Sequence, residues 1–184
     1  GDWVSLFLPQ FTHLGQRLRA GDIPAWNPAQ FAGTPFAADP QSGWGNALAM
    51  LWFPMLPAGS AWLAYTTSSI LIAVLTTYWL ARLLGLGPLA GFAAAASYGF
   101  GWITEMSKAS PPYVAIAVWL PVMLLGVEMA LRGRTWHARA LWSALAGFGT
   151  SQVIANFFGQ GAYYAILVSG AYLLFRALLA PDPP

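Results

Sequence analysis

The stretch GSAWLAYTTSSILIAVLTTYWLA, residues 59–81, decides the fold class. It carries no charged side chain, and the uncharged run reaches back to residue 40. A helix rises about 1.5 Å per residue, so roughly 20 apolar residues cross the ~30 Å hydrocarbon of a bilayer. The stretch is long enough to do so. The rest of the chain agrees with it. Only 8% of the residues are charged, where a soluble domain averages about 25%. Ten tryptophans and seven tyrosines suit the two membrane–water interfaces.

Working outward, further uncharged runs follow. LLGLGPLAGFAAAASYGFGWIT, residues 83–104, is rich in glycine and alanine, which favours close helix packing. Residues 109–127 are uncharged, and a span over 112–131 is expected there. The run 140–175 would make a helix of about 54 Å, too long for one crossing. NFFGQG, residues 156–161, is the place to turn. The expected fold is therefore all-α and integral to the membrane. Five spans are expected, at 59–82, 88–104, 112–131, 138–156 and 161–179. They form a transmembrane bundle over 59–184, preceded by a long loop region over 1–58.

Within that first region, PQFTHLGQRLRAG, residues 9–21, reads as a short amphipathic helix. Pro9 suits its first turn and Gly21 its stop. Phe11, Leu14 and Leu18 share one face, which suits either the membrane interface or packing on the rest of the protein. Residues 22–45, DIPAWNPAQFAGTPFAADPQSGWG, form a proline-rich loop, because each proline disfavours helix in the residue before it. The opening GDWVSLF reads as a piece of a longer membrane protein with a further span upstream.

Charge gives an orientation. With the first loop outside, the inner ends carry Arg82, Arg132, Arg134, Arg139 and Arg176, against Arg17, Arg19 and Lys108 outside. The positive-inside rule therefore places the first loop outside. Asp2, Asp22, Asp39 and Glu105 then gather on the outer face, with Glu128 near the inner end of its span.

Several classes of chemistry drop out. With no cysteine there is no disulfide, thiol nucleophile or thiolate metal site. His13 and His137 fall on opposite sides and cannot share a metal. The glycine-rich GFGTSQ and GLGPLAG lie in spans, without the strand a nucleotide loop needs. A net charge of +2 gives no reason to expect nucleic acid. What remains is polar chemistry on the outer face. A carboxylate there is able to act as a general base or to hold a divalent cation beside a phosphate. Taken alone, Asp2 reads as a solvated helix-end residue, and Asp22 and Asp39 as turn residues. Glu105 and Lys108 in TEMSKASPP are the charges of the second outer loop. They read either as an exposed pair or, for Lys108, as a phosphate contact. Gln152, Asn156 and Gln160 suit sugar hydroxyls or bonds between helices. Trp26, Phe31, Phe36 and Trp44 suit stacking on sugar rings or anchoring at the interface.

The run GDWVSLFLPQFTHLGQRLRAGDIPAWNPAQFAGTPFAADPQSG, with its WNP, GTPF and DPQSG elements, resembles the first outer loop of bacterial YfhO-like membrane proteins. These belong to the GT-C class of polytopic glycosyltransferases. AVWLPVMLLGVEMAL and QVIANFFGQGAYYAI look like the spans that follow in that family. The resemblance implies a GT-C-like helical fold in the bacterial plasma membrane, with its site on the extracytoplasmic face. It implies a polyprenyl-phosphate-linked sugar as donor and an envelope polymer, lipid or protein as acceptor. The first-loop aspartate, here Asp2, becomes the expected catalytic base. Asp2 is followed by Trp3, so the paired acids of many such enzymes are lacking here, and a divalent cation stays an open question. Lys108, or Arg17 and Arg19, are expected at the leaving phosphate. Trp26, Phe36 and Trp44 are expected to shape the substrate groove, with Asn27, Asp39, Gln41, Glu105 and Gln160 as further substrate contacts. The rival class, a transporter or flippase for a lipid-linked substrate, needs strong polar groups near mid-membrane. A non-catalytic scaffold needs none.

Overall fold

The computed structural model describes residues 2–101, 110–157 and 159–180. Among these the chain is mostly helical, with seven α-helices. A single wide helical turn, Trp3–Phe7, leads into α1, Leu8–Arg19. A hairpin follows, in which Trp26–Asn27 (β1) pairs antiparallel with Thr34–Pro35 (β2). Next come α2, Ala47–Met55, and α3, Ala58–Leu83. The bundle is completed by α4 (Pro88–Phe100), α5 (Pro111–Arg132), α6 (Trp136–Asn156) and α7 (Gln160–Leu178). Prolines open α1, α4 and α5 within their first two positions, where the missing N–H has no intrahelical partner to lose.

Three of these helices are long and apolar enough to cross a membrane: α3, α5 and α7, with mean hydropathies of 1.4, 2.2 and 1.3. They are packed differently. The apolar window of α5 is 61% buried, against 22% for α3 and for α7. α5 is thus the hub, contacting α3, α6 and α7. Its Ile116, Trp119, Val122 and Met123 form one core with Val153 of α6 and Ala162 and Ala165 of α7.

The outer surfaces reverse the pattern of a soluble protein. Leu63, Leu71 and Leu75 of α3, Leu89 and Phe92 of α4, Leu141 of α6 and Leu174 and Leu178 of α7 are exposed. The buried stripe of α3 is instead small or polar: Ala61, Tyr65, Ser69 and Ala73, one every fourth residue. Such faces suit helices that meet each other through small residues and meet lipid through large ones. α5 and α6 approach closely at Gly126, where a Cβ would lie 2.6 Å from the backbone nitrogen of Ala146.

The first region is not only a loop. α1 turns its apolar face inward. Phe11 and Leu14 join Phe36, Ala49, Phe53, Ala61 and Tyr65 in a separate core. The Phe11 ring meets Phe53 at 5.4 Å and Tyr65 at 5.6 Å, both edge-on. Of the two roles open to this helix, packing on the protein takes up the apolar face. Helix α2 falls inside what the sequence suggested was loop. Asn46 starts it, its side chain accepting from the N–H groups of Leu48 and Ala49.

Candidate functional site

α1 and the hairpin enclose a groove of about 680 Å³ beside Ala58, the first residue of α3. Its polar walls hold no carboxylate, lysine or arginine: Gln10, Thr12, His13 and Gln16 come from α1, and Asn27 and Gln30 from the hairpin. The helical spacing of Gln10, His13 and Gln16 puts them on neighbouring positions of one face. The hairpin brings its amides opposite. Asn27 is buried, donates to Gln30 Oε1 at 3.4 Å and accepts from the Ala29 N–H at 3.0 Å. The His13 ring stands edge-on to Phe36, centroids 5.0 Å apart, so a buried phenyl supports it from behind.

Two polar atoms here are buried without a hydrogen-bond partner, Gln10 Oε1 and His13 Nε2. Native proteins satisfy most buried polar atoms. Both residues line the groove, and the two orphaned atoms lie just beneath its surface. Gln10 is held in place through its nitrogen, which donates to Gln30 Oε1 at 3.4 Å and to Asp39 Oδ2 at 3.3 Å. Asp39 is fixed in turn, its Oδ1 accepting from the Gln41 N–H at 2.8 Å. A wall of amides, hydroxyls and an imidazole is suited to hydroxyl groups.

A smaller recess of about 130 Å³ adjoins the groove and shares Thr12, Gln16 and Ala58 with it. Arg19 lines this recess. Its Nε donates to the Pro54 carbonyl at 2.9 Å and its Nη2 to that of Phe53 at 3.4 Å. These bonds pin the guanidinium without neutralising it. A neutral groove thus continues into a cation-bearing pocket at the start of a membrane-length helix.

The remaining expected site residues spread around this centre. Asp2 is exposed at the head of the Trp3–Phe7 turn, without a side-chain capping bond. It lies one turn before Ser5 and Leu6, which line the groove. Trp26 is exposed on the hairpin and packs over Gly33, where a Cβ would come within 2.7 Å of its ring. Trp44 packs against the α1–α2 core. Gln41 is partly buried beside Asp39. Arg17 pairs with Asp22 on the exposed side of α1. Gln160 stands apart at the start of α7 and donates to the Tyr164 hydroxyl at 2.8 Å. Glu105 and Lys108 lie outside the described residues. Among the described residues, no three His, Asp or Glu side chains gather to hold a metal ion.

Two polar clusters join residues from different helices. At the groove end of the bundle, Asn46 Nδ2 donates to Asn156 Oδ1, and to the Tyr65 hydroxyl at 3.3 Å. Gln152 Oε1 accepts from the Ala47 N–H at 2.8 Å. Together they tie α2 to α3 and α6. At the opposite pole, fully buried Glu128 accepts from Arg132, Tyr172 and Arg176. The amide cluster answers the question left by Gln152 and Asn156: both bond between elements. An asparagine ahead of the apolar run ALAMLWF was a signal for α2. Arg132 stands four residues from Glu128, the spacing of a helical ion pair; nothing in the sequence pointed to Tyr172 or Arg176. No family model, curated protein or solved structure matches the chain.

Proposed function

We propose that this chain is part of a bacterial plasma-membrane glycosyltransferase. It moves a sugar from a polyprenyl-phosphate carrier to a hydroxyl of an envelope polymer, lipid or protein. All five bundle helices cross the bilayer in this reading, and the groove faces the extracytoplasmic side. The observation that carries the proposal is a groove lined by polar side chains, two of which, Gln10 and His13, each hold a buried atom without a partner. Sugar hydroxyls both donate and accept, so they are able to meet such atoms. The adjoining recess supplies Arg19 for the phosphate. Its place at the start of α3 suits a donor whose lipid tail stays in the membrane.

In the reaction, the Asp2 carboxylate takes the proton from the acceptor hydroxyl. The acceptor oxygen attacks the anomeric carbon as the bond from that carbon to the phosphate oxygen breaks. Charge develops on the sugar as in other glycosyl transfers. The departing phosphate keeps the bonding electrons, and Arg19 stabilises it. Asp2 is exposed and lies a turn before Ser5 of the groove, which suits an acceptor that approaches from the aqueous side.

The test uses the protein in native membranes with labelled polyprenyl-phosphate sugars. Wild type is compared with Asp2→Asn and His13→Phe at matched expression. Transfer by the wild type, with loss in both variants, supports the groove and names the base. Equal transfer in His13→Phe removes the groove from the reaction. No transfer by the wild type with any of several donors overturns the glycosyltransferase reading and favours transport of a lipid-linked substrate.

A further inference from the structure

The pole opposite the groove carries its own cavity, of about 480 Å³, between α5, α6 and α7. Val127 and Leu131 come from α5, Arg139, Ser143 and Ala146 from α6, and Leu173 from α7. The α6 residues lie four and then three positions apart, so they form one stripe along the helix. The cavity therefore has a charged end at Arg139, a hydroxyl one turn deeper, and apolar walls beyond.

The charge at that end is unbalanced. Among the described residues, neither Arg82, Arg134 nor Arg139 has a carboxylate partner. Glu128, the acid of this pole among the described residues, is already taken by Arg132 and Arg176. The first turn of α6 adds to the positive potential, because its free N–H groups carry partial positive charge. Cationic side chains are ordinarily disfavoured there, yet Arg134 and Arg139 flank it. Arg139 spends only Nε, on the Gly133 carbonyl at 2.8 Å.

From this arrangement we propose that the cavity binds an anionic phospholipid. Its phosphate sits on Arg139, its glycerol region reaches Ser143, and one acyl chain lies along Val127, Ala146 and Leu173. The apolar walls are what select a lipid over a soluble anion, which would use the guanidinium alone. The assignment is independent of the glycosyl transfer reading and asks only that the helices lie in a bilayer.

The experiment purifies the full chain in mild detergent. Phosphatidylglycerol and phosphatidylcholine with identical acyl chains are titrated in, and retained lipid is counted by native mass spectrometry. Wild type is expected to favour phosphatidylglycerol. Arg139→Gln should weaken that lipid about fivefold, equivalent to about 1 kcal/mol for one arginine near a headgroup, and leave phosphatidylcholine unchanged. Ser143→Leu, which narrows the slot and keeps the charge, should also weaken it. Arg82→Gln, on the same pole outside the cavity, should retain wild-type binding. Equal retention by wild type and Arg139→Gln overturns the proposal. So does an equal loss in Arg82→Gln, which means diffuse charge, or displacement of the lipid by equimolar inorganic phosphate.

Discussion

Arg176 grips Glu128 through two hydrogen bonds, Nε to Oε2 at 2.9 Å and Nη2 to Oε1 at 3.0 Å. Arg132 adds a third from within the same helix, at 2.6 Å. It also donates to the Leu83 carbonyl at 2.6 Å, so the cluster links the ends of α3, α5 and α7. Breaking a buried ion pair from one side leaves uncompensated charge and costs ~3–5 kcal/mol. Glu128→Gln is expected to cost about 3 kcal/mol, because it strands two guanidinium groups. Arg176→Met should cost less, because Arg132 still neutralises Glu128. Unfolding midpoints in detergent for the two variants check the order; equal midpoints would remove Glu128 from the energetics of the pole.

Asn46 acts at two levels. It caps α2 and bonds Asn156 and Tyr65 across the fold. A cap is worth ~1 kcal/mol, and stranding buried partners adds ~1–3 kcal/mol. Asn46→Ala should therefore lower stability by about 2–4 kcal/mol. Asn46→Asp keeps the capping oxygen but loses the amide donor, and should fall between. Thermal unfolding followed by tryptophan fluorescence separates the three proteins.

The α5–α6 contact makes a sharp comparison between two glycines. A Cβ at Gly126 would lie 2.6 Å from the Ala146 backbone, while one at Gly147 would meet nothing within 4 Å. Gly126→Ala should destabilise by about 1–3 kcal/mol through overpacking. Gly147→Ala should be neutral or stabilise by up to ~1 kcal/mol through helix propensity. The same thermal assay decides, and matching shifts would disprove the close contact.

His13 offers a test that separates function from stability. An unpartnered buried polar atom costs ~1–3 kcal/mol. His13→Phe removes one and keeps a ring against Phe36, so its unfolding midpoint should hold or rise. Sugar transfer should fall in the same protein. A drop in both would make His13 a structural residue.

The helix limits were largely legible in the sequence. The runs expected over 59–82, 112–131, 138–156 and 161–179 correspond to Ala58–Leu83, Pro111–Arg132, Trp136–Asn156 and Gln160–Leu178. Each break is marked by proline, glycine or charge, and these act locally. Helix α2 was hidden because it is apolar throughout and contains Pro54, so it shows neither a polar face nor an unbroken pattern. The groove was half legible. Asn27 and Asp39 were picked from the loop. Gln10 and Gln16 fall off the apolar face that Phe11, Leu14 and Leu18 mark on α1, and nothing in the spacing of His13 shows which face of the fold it meets. The pairings of Glu128 with Arg176 and of Asn46 with Asn156 were beyond reach, since those bonds join residues 48 and 110 positions apart. Spacing along a chain does not say which helices become neighbours.

The Glu128 cluster also bears on how the protein is made. α5 is the most apolar of the three membrane-length helices and emerges from the ribosome well before Arg176. Arg176 is therefore made only after Glu128 and Arg132 have left the ribosome. Arg132, four residues on and already bonded to it within the same helix, is present from the start. The carboxylate thus has one partner within its own helix, and Arg176 of α7 adds a second once it has been made.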